Sequence, residues 1–390
     1  MNPNALIAQR PRPVDCLQLA IGDFPVSVSS AMPNLLEDLK KLYSLHRDDA
    51  RNEKPTIRME VRKTRAPLGR ARYAIYGDDQ EITQGRIPRE VVPYLEWGIN
   101  LRLMATHPEY VQLHAASMSR DGQGFIFAGE SGCGKSTLAA CLLARGWHYL
   151  CDEFALIDRA TLLLHPFPKA LCIKGGSFAV VRREGLRFTR RGDYIKSRKG
   201  RVAYINPHDV RSGAIGRPCA VRAIVFPKYS GKDDPRCVPL SRSRAMLELV
   251  GCVFNRDAFL DGGLSVIHEL LQNANCYRLE VGTPEKTCKL IDSLVGREIT
   301  FAPAHHPATT VSAKPSTRRI EAPTLSRRDM FHRGVKLAFT VPTVATLLSR
   351  PAYAAASNPS GACSTGVQTG GLCESDADCC SGDCDFGICN

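Results

Sequence analysis

An α/β fold is predicted for residues 1–298, on three observations. Alternating apolar segments and helical segments succeed one another along the stretch. YVQLHAASMS, a glycine turn, GFIFAG, a glycine-rich loop and KSTLAACLLARG read as strand, hairpin, strand, loop and helix. The composition, 44% hydrophobic and 23% charged, is that of a soluble globular chain. At 390 residues the chain has room for two or three domains.

The elements follow in order. The first 16 residues are polar and hold prolines, and read as a loose terminus without a secretory signal. Residues 1–110 form a small N-terminal α/β module. In it LQLAIGDFPVSVSS predicts short strands, and NLLEDLKKLYSLH places Leu35, Leu36, Leu39 and Leu42 at helical spacing. RMEVRKT and ARYAIYG alternate like strands. PREVVPYLEWGINLRLMATH predicts a helix leading into the next domain, residues 111–298. There HYLCDEFALI continues the α/β pattern as a strand. Further strands are expected at 202–205 and 221–226, and helices at 243–253, 264–273 and 284–294. The last helix has Thr283 as N-cap and Pro284 at its first position. Residues 299–325 are rich in Pro, Ala, Ser and Thr and read as a linker.

Charge and cysteine divide the chain unevenly. The net charge is +13, yet the last 34 residues hold Glu374, Asp376, Asp378, Asp383 and Asp385 and no Lys or Arg. The basic remainder favours anionic partners or a solvated basic surface. Ten of the 16 cysteines are scattered between Cys16 and Cys288 without metal-ligand spacing, as small buried residues of a cytosolic protein. Six crowd into Cys363–Cys389, a density that implies disulfides and an oxidising compartment.

The chemistry concentrates at GESGCGKST. Gly129, Glu130, Ser131, Gly132, Cys133, Gly134, Lys135 and Ser136 fit G-x-x-x-x-G-K-[ST], and Thr137 follows. Glycines let backbone amides curl around a phosphate, Lys135 neutralises it, and the Ser136 hydroxyl can ligate Mg²⁺. These residues are the expected ATP site. Asp152 and Glu153 follow the short apolar run HYLC, where acids at a strand end face the phosphate crevice. One can help hold Mg²⁺ and the other can accept a substrate hydroxyl's proton. An acidic turn is the bland alternative. His114, before the loop, reads by itself as structural. RREGLRFTRRGDYIKSRKGR, residues 182–201, holds nine basic residues and two acids. It reads as a solvated loop, with a phosphate-facing loop as the alternative. Lys199 and Lys228 are candidates for extra nucleotide contacts. Basic residues are not interleaved with aromatics and no binding module is recognised, so nucleic acid is not an expected partner.

The stretch from LHAAS through GESGCGKST to CDEFALI resembles the HPr kinase/phosphorylase family, and its HPr-kinase-related kinase A branch in particular. PFPKALCIKGGS, KGRVAYINP, VFPKYSG and LEWGIN extend the likeness over most of residues 17–295. The resemblance implies an HPr kinase/PEP-carboxykinase-like core and a Mg²⁺-dependent transfer from ATP to a serine of a protein or peptide. Within it Asp152 corresponds to the proton-transfer residue, Glu153 to a metal ligand and His114 to a conserved histidine before the strand. A homo-oligomer is the assembly it suggests. Where HPr kinases have a second metal-binding Glu, this chain offers Cys172 and Lys174. A nucleotide-binding switch or ATPase without a protein acceptor is the alternative reading.

Residues 326–356 resemble a twin-arginine signal: SRRDMF, an uncharged run Leu337–Ser349 shorter than a membrane span, and the small-residue cleavage sites in AYAAA. They imply the twin-arginine export machinery as a partner. Residues 357–390 are too few and too polar to build a core without bridges. DADCCSGDCDFGIC resembles the knottin framework, which implies Cys363–Cys380, Cys373–Cys384 and Cys379–Cys389. The expected arrangement is a cytoplasmic kinase with a tail exported to the periplasm or beyond. That tail is either the enzyme's own peptide substrate, with Ser357, Ser360, Ser364, Ser375 and Ser381 as acceptors, or an independent fusion.

Overall fold

Alternation in the first strands sets the N-terminal architecture. In β1 (Asp15–Ile21) and β2 (Phe24–Ser30), Leu17, Leu19, Ile21, Val26 and Val28 are buried, and the two strands pair antiparallel across a two-residue turn. Gly22 takes φ 61° in this turn, and a Cβ there would lie 2.9 Å from the Pro166 carbonyl oxygen. The hairpin tip thus presses on a segment far along the chain. This computed structural model describes residues 14–43, 55–65, 71–189, 194–196 and 200–296, and the backbone of 384–385 and 388–389.

Helix α1 (Pro33–Leu42) buries the four predicted leucines and crosses over to β3 (Ile57–Arg65), which pairs parallel to β2. Antiparallel β4 (Ala71–Gly77) and β5 (Gln80–Gly85) complete a five-stranded sheet in sequence order. β5 is a strand that the sequence reading did not contain. Helix α2 (Pro88–Thr106) packs across β3, β4 and β5. Its first turn is capped by Glu90, whose Oε2 accepts from the backbone N–H of Arg86 at 2.6 Å and of Ile87 at 3.2 Å.

The larger sheet begins with β6 (Tyr110–Arg120) and β7 (Gln123–Ala128), an antiparallel pair. The phosphate-loop segment then leads into α3 (Lys135–Ala144). HYLCDEFALI is two strands, not one: β8 (His148–Cys151) and β9 (Phe154–Asp158), both antiparallel to β6. Ser117 lies opposite Cys151 and His114 opposite Phe154, so the ladder breaks at Asp152–Glu153 and then resumes. Strand β10 (Leu163–His165) pairs with β9 and also with β14 (Cys219–Tyr229), which returns the run β10-β9-β6-β7-β14 on itself. A small antiparallel sheet holds β11 (Leu171–Lys174), β13 (Arg201–Ile205) and β12 (Tyr194–Ile195). Between β11 and β12 lies the short helix α4 (Phe178–Arg183), and α5 (Pro207–Val210) follows β13.

Strand β15 (Arg236–Pro239) and helices α6 (Arg242–Val250) and α7 (Leu264–Gln272) precede β16 (Asn275–Val281), which pairs parallel to β14. Helix α8 (Pro284–Asp292) starts at Thr283 with Pro284 in its first turn, and the Thr283 side chain makes no capping bond. Helices α3 and α8 share an apolar cluster on one face of the large sheet, and α6 and α7 share one on the other. Trp147 is fully buried under α3 and donates its indole N–H to Oδ1 of Asp292 at 2.8 Å.

One hydrophobic cluster crosses the expected boundary at 110. It joins Leu19, Val26, Leu39 and Leu95 to Phe154, Phe167, Tyr194 and Tyr204. The two regions differ in architecture, but their interiors are continuous. Of the ten scattered cysteines, Cys141, Cys151, Cys219, Cys276 and Cys288 are buried as expected, whereas Cys133, Cys172, Cys237 and Cys252 are partly exposed and Cys16 is exposed. The linker, the signal-like segment and most of the cysteine-rich tail lie outside the described residues, as do the side chains of its six cysteines. There, Cys384–Asp385 pairs antiparallel with Ile388–Cys389.

Candidate functional site

The loop between β7 and α3 has the backbone of a phosphate cradle. Gly129, Gly132 and Gly134 take φ of 152°, 95° and 99°, conformations that L side chains rarely adopt. Gly134 is the N-cap of α3, so the first amides of that helix face the loop. The Lys135 ammonium folds back and donates to the carbonyls of Gly129 at 2.5 Å and Glu130 at 2.9 Å. Thr137 Oγ1 donates to Ser177 Oγ at 2.7 Å, which ties α3 to the turn after β11.

The acid pair arrives at the same place because the ladder on β6 breaks there. Ser131, Gly132, Gly134, Lys135, Ser136 and Thr137 line one cleft together with His114, Asp152 and Glu153. Gly129, Glu130 and Cys133 belong to the loop without lining the cleft. His114 sits edge-on to Phe254, ring centroids 5.1 Å apart, and its backbone N–H donates to the Cys252 carbonyl at 2.7 Å.

The two acids have different surroundings. Asp152 is buried, with Oδ1 accepting from the Tyr149 hydroxyl at 3.0 Å and Oδ2 from the Cys172 backbone N–H at 3.1 Å. Burial, reinforced by the neighbouring Glu153 charge, raises its pKa to about 6, against the pull of Lys169. Glu153 instead meets cations. Its Oε2 accepts from Asn100 Nδ2 at 2.7 Å and from Lys169 Nζ at 3.2 Å, and its Oε1 lies 3.6 Å from Lys196 Nζ.

Lys169 continues this chain into the N-terminal region. Its ammonium lies 3.0 Å from Oε2 of Glu96 on α2, and the Tyr43 hydroxyl at the end of α1 donates to the other oxygen of Glu96. Burial opposes the charge of Lys169, but Glu96 and Glu153 outweigh it and hold the pKa above the ordinary value. Lys196 is likewise buried, and Glu153 holds its pKa up against burial.

Several cleft residues were absent from the sequence-based set of site residues. Lys174, Ser177 and Lys196 line it, and Asn100, Glu96 and Lys169 stand behind it. The solvated-loop reading of residues 182–201 fails at Lys196, which follows β12 directly, is buried and lines the cleft. Lys199 lies outside the described residues. Lys228 is exposed near the end of β14 and does not line the cleft. A usable signal was present in LEWGIN: Glu96 and Asn100 stand one turn apart on a helix with apolar neighbours, where an unpaired acid would be costly.

The fit to Mg²⁺ is uneven. Ser136 stands at the start of α3, where the motif places a metal-binding hydroxyl. Glu153 does not fit as its companion, because an ammonium already faces each of its oxygens. Among the described residues, no three or more His, Cys, Asp and Glu side chains gather as a metal cluster.

Comparison with known proteins gives a partial match. Residues 99–178 match the family described as SynChlorMet cassette protein ScmC, a span that contains the loop, α3 and the acid pair. No curated protein matches the chain. Among solved structures, the Hpr(Ser) kinase/phosphatase from Coxiella burnetii is similar over 47% of this chain and 93% of its own, with 14% identity and a TM-score of 0.24.

Proposed function

We propose that the protein is an ATP-dependent serine kinase of a protein or peptide. One observation carries the proposal: a buried carboxyl with a pKa near 6 shares a cleft with a glycine-rich loop at a helix N-terminus. The sequence likeness to HPr-kinase-related kinases supports it. The ScmC match covers the same loop and acid pair.

The loop amides and the N-terminus of α3 bind the ATP phosphates. Lys135 exchanges its carbonyl partners for phosphate oxygens. Asp152, ionised above pH 6, accepts the proton of the acceptor hydroxyl. The serine oxygen forms its bond to the γ-phosphorus as the bond to the β,γ-bridging oxygen breaks, and ADP leaves with that electron pair. His114 lines the cleft wall where the acceptor enters. The acceptor class is a peptide serine, and the chain's own cysteine-rich tail, carried outward by the twin-arginine machinery, is the first candidate.

The test incubates the full chain with γ-labelled ATP, its own separated tail and cell lysate. Label on serine, lost in Asp152→Asn while ATP binding persists, supports the kinase. Phosphate release with no labelled polypeptide supports the ATPase or switch reading instead. Transfer by Asp152→Asn at the wild-type rate overturns the assignment of the base.

A further inference from the structure

Three cations share this cleft with the glycine-rich loop. Lys135, Lys174 and Lys196 converge on one lining. Lys196 is buried and reaches Glu153. Lys174, the last residue of β11, is half-buried, and among the described residues no carboxylate pairs with it. Burial first, then the charge of Lys196, lowers its pKa, with a further push from Lys135. Holding like charges together in a partly desolvated cleft is costly unless an anion joins them.

The same arrangement works against a divalent ion. Mg²⁺ demands near-octahedral oxygen ligands at short range and dehydrates reluctantly. The Glu153 carboxylate that would ligate it accepts from Asn100 and Lys169 on one oxygen and faces Lys196 on the other. A dication bound there would displace or repel Lys196. The other acid, Asp152, is engaged by Tyr149 and by the Cys172 amide.

We infer that Lys174 and Lys196 supply at the nucleotide phosphates the positive charge that a protein-held divalent ion would otherwise supply, and that Glu153 positions Lys196 and Lys169 instead of ligating metal. This rests on the reading of the cleft as an ATP site. It makes Lys174 and Lys196 binding residues and Glu153 a positioning residue. The ligand it specifies is the uncomplexed nucleoside triphosphate, whose extra negative charge suits three ammoniums better than the magnesium complex does.

Calorimetric titration of the full chain with ATP, once in EDTA and once in excess magnesium, tests it. The expected Kd in EDTA is equal to or below that in magnesium, within about threefold. Lys174→Met weakens binding in EDTA by about tenfold or more. Lys196→Met leaves Glu153 short of a partner and can misfold, so the paired variant Lys196→Met with Glu153→Gln carries that arm, with the same expected loss. Glu153→Gln alone is expected to weaken binding in EDTA less than the paired variant does, because Lys196 keeps its charge but loses the carboxylate that positions it. Binding that appears only with magnesium overturns the inference and leaves the nucleotide reading intact. Undiminished affinity in EDTA for both the Lys174 variant and the paired variant also overturns it. No binding in either solution overturns the nucleotide reading, and this inference with it.

Discussion

Asn100 donates its side-chain amide to the Glu153 carboxylate at 2.7 Å, so the helix that closes the N-terminal sheet touches the acid pair beside the phosphate loop. The same oxygen accepts from Lys169, which also meets Glu96, one turn before Asn100 on that helix. Removing this donor leaves a part-buried carboxylate short of one bond. Asn100→Ala is expected to cost about 1–2 kcal/mol in urea unfolding. Asn100→Asp, equal in size, sets a third carboxylate against Glu153 and is expected to cost more. Equal costs for the two would show that the contact with Glu153 is not made.

Lys169 is almost wholly inaccessible to solvent and balances Glu96 and Glu153 together. Lys169→Met leaves Glu96 uncompensated and takes one of the cations from Glu153, and is expected to lose about 3–5 kcal/mol. Adding Glu96→Gln removes one buried charge while Glu153 keeps Lys196 and Asn100, and is expected to recover a large part of that loss. Chemical denaturation of the single and double variants measures both numbers. A neutral single variant would argue against the buried pairing.

On the proposed kinase reading, Asp152 couples transfer to pH. Its pKa rises from 3.8 to about 6 through burial and Glu153, so transfer should climb with pH through a midpoint near 6. The stability effect has the opposite direction. The folded state holds the proton more tightly than the unfolded chain does, so ionisation costs stability. That cost is absent below pH 4, grows between pH 4 and 6, and is complete above 6. Asp152→Asn keeps the shape: its Oδ1 can accept from the Cys172 amide and its Nδ2 can donate to the Tyr149 oxygen. The variant is expected to gain on the order of 2 kcal/mol at pH 8 and nothing near pH 4, read from melting at each pH.

The loop glycines separate strain from collision. A Cβ on Gly134 meets nothing within 4 Å, but the φ of 99° strains any side chain there. Gly134→Ala is expected to cost about 1–3 kcal/mol and to weaken nucleotide binding as the first amides of α3 turn away. Gly129→Ala also brings its Cβ to 3.3 Å from Cys133 Sγ. It is therefore expected to be the more harmful of the two in thermal melts and ATP titrations.

Much of the element order could be read from local pattern. The leucines of α1, the alternation in β1 to β4 and the glycine-rich turn into α3 each express their structure within one short segment. Strands β5, β10, β12 and β15 are short or polar, and they exist because a neighbouring edge pairs with them. The split between β8 and β9 was hidden for a related reason. An apolar run broken by two acids has the same alternation whether or not the ladder continues, and only the register on β6 shows the break. At the site, the spacing of Lys135 and Ser136 and the adjacency of Asp152 and Glu153 were visible. The role of the lysines was not, because Lys169 and Lys174 lie in one segment and Lys196 in another, and basic residues in such segments are usually solvated; Lys174 stood out only as a residue at the place of a metal-binding Glu.

The apolar cluster that runs from Leu19 through Leu95 to Phe154 and Tyr204 makes the first sheet the support behind the acid pair. It is not a detachable module. Replacing it would expose Phe154 and Phe167, take Glu96 from Lys169 and remove Asn100 from Glu153 in one step. Removing the N-terminal sheet is therefore expected to unsettle the acid pair together with the core, so the two regions unfold as one unit.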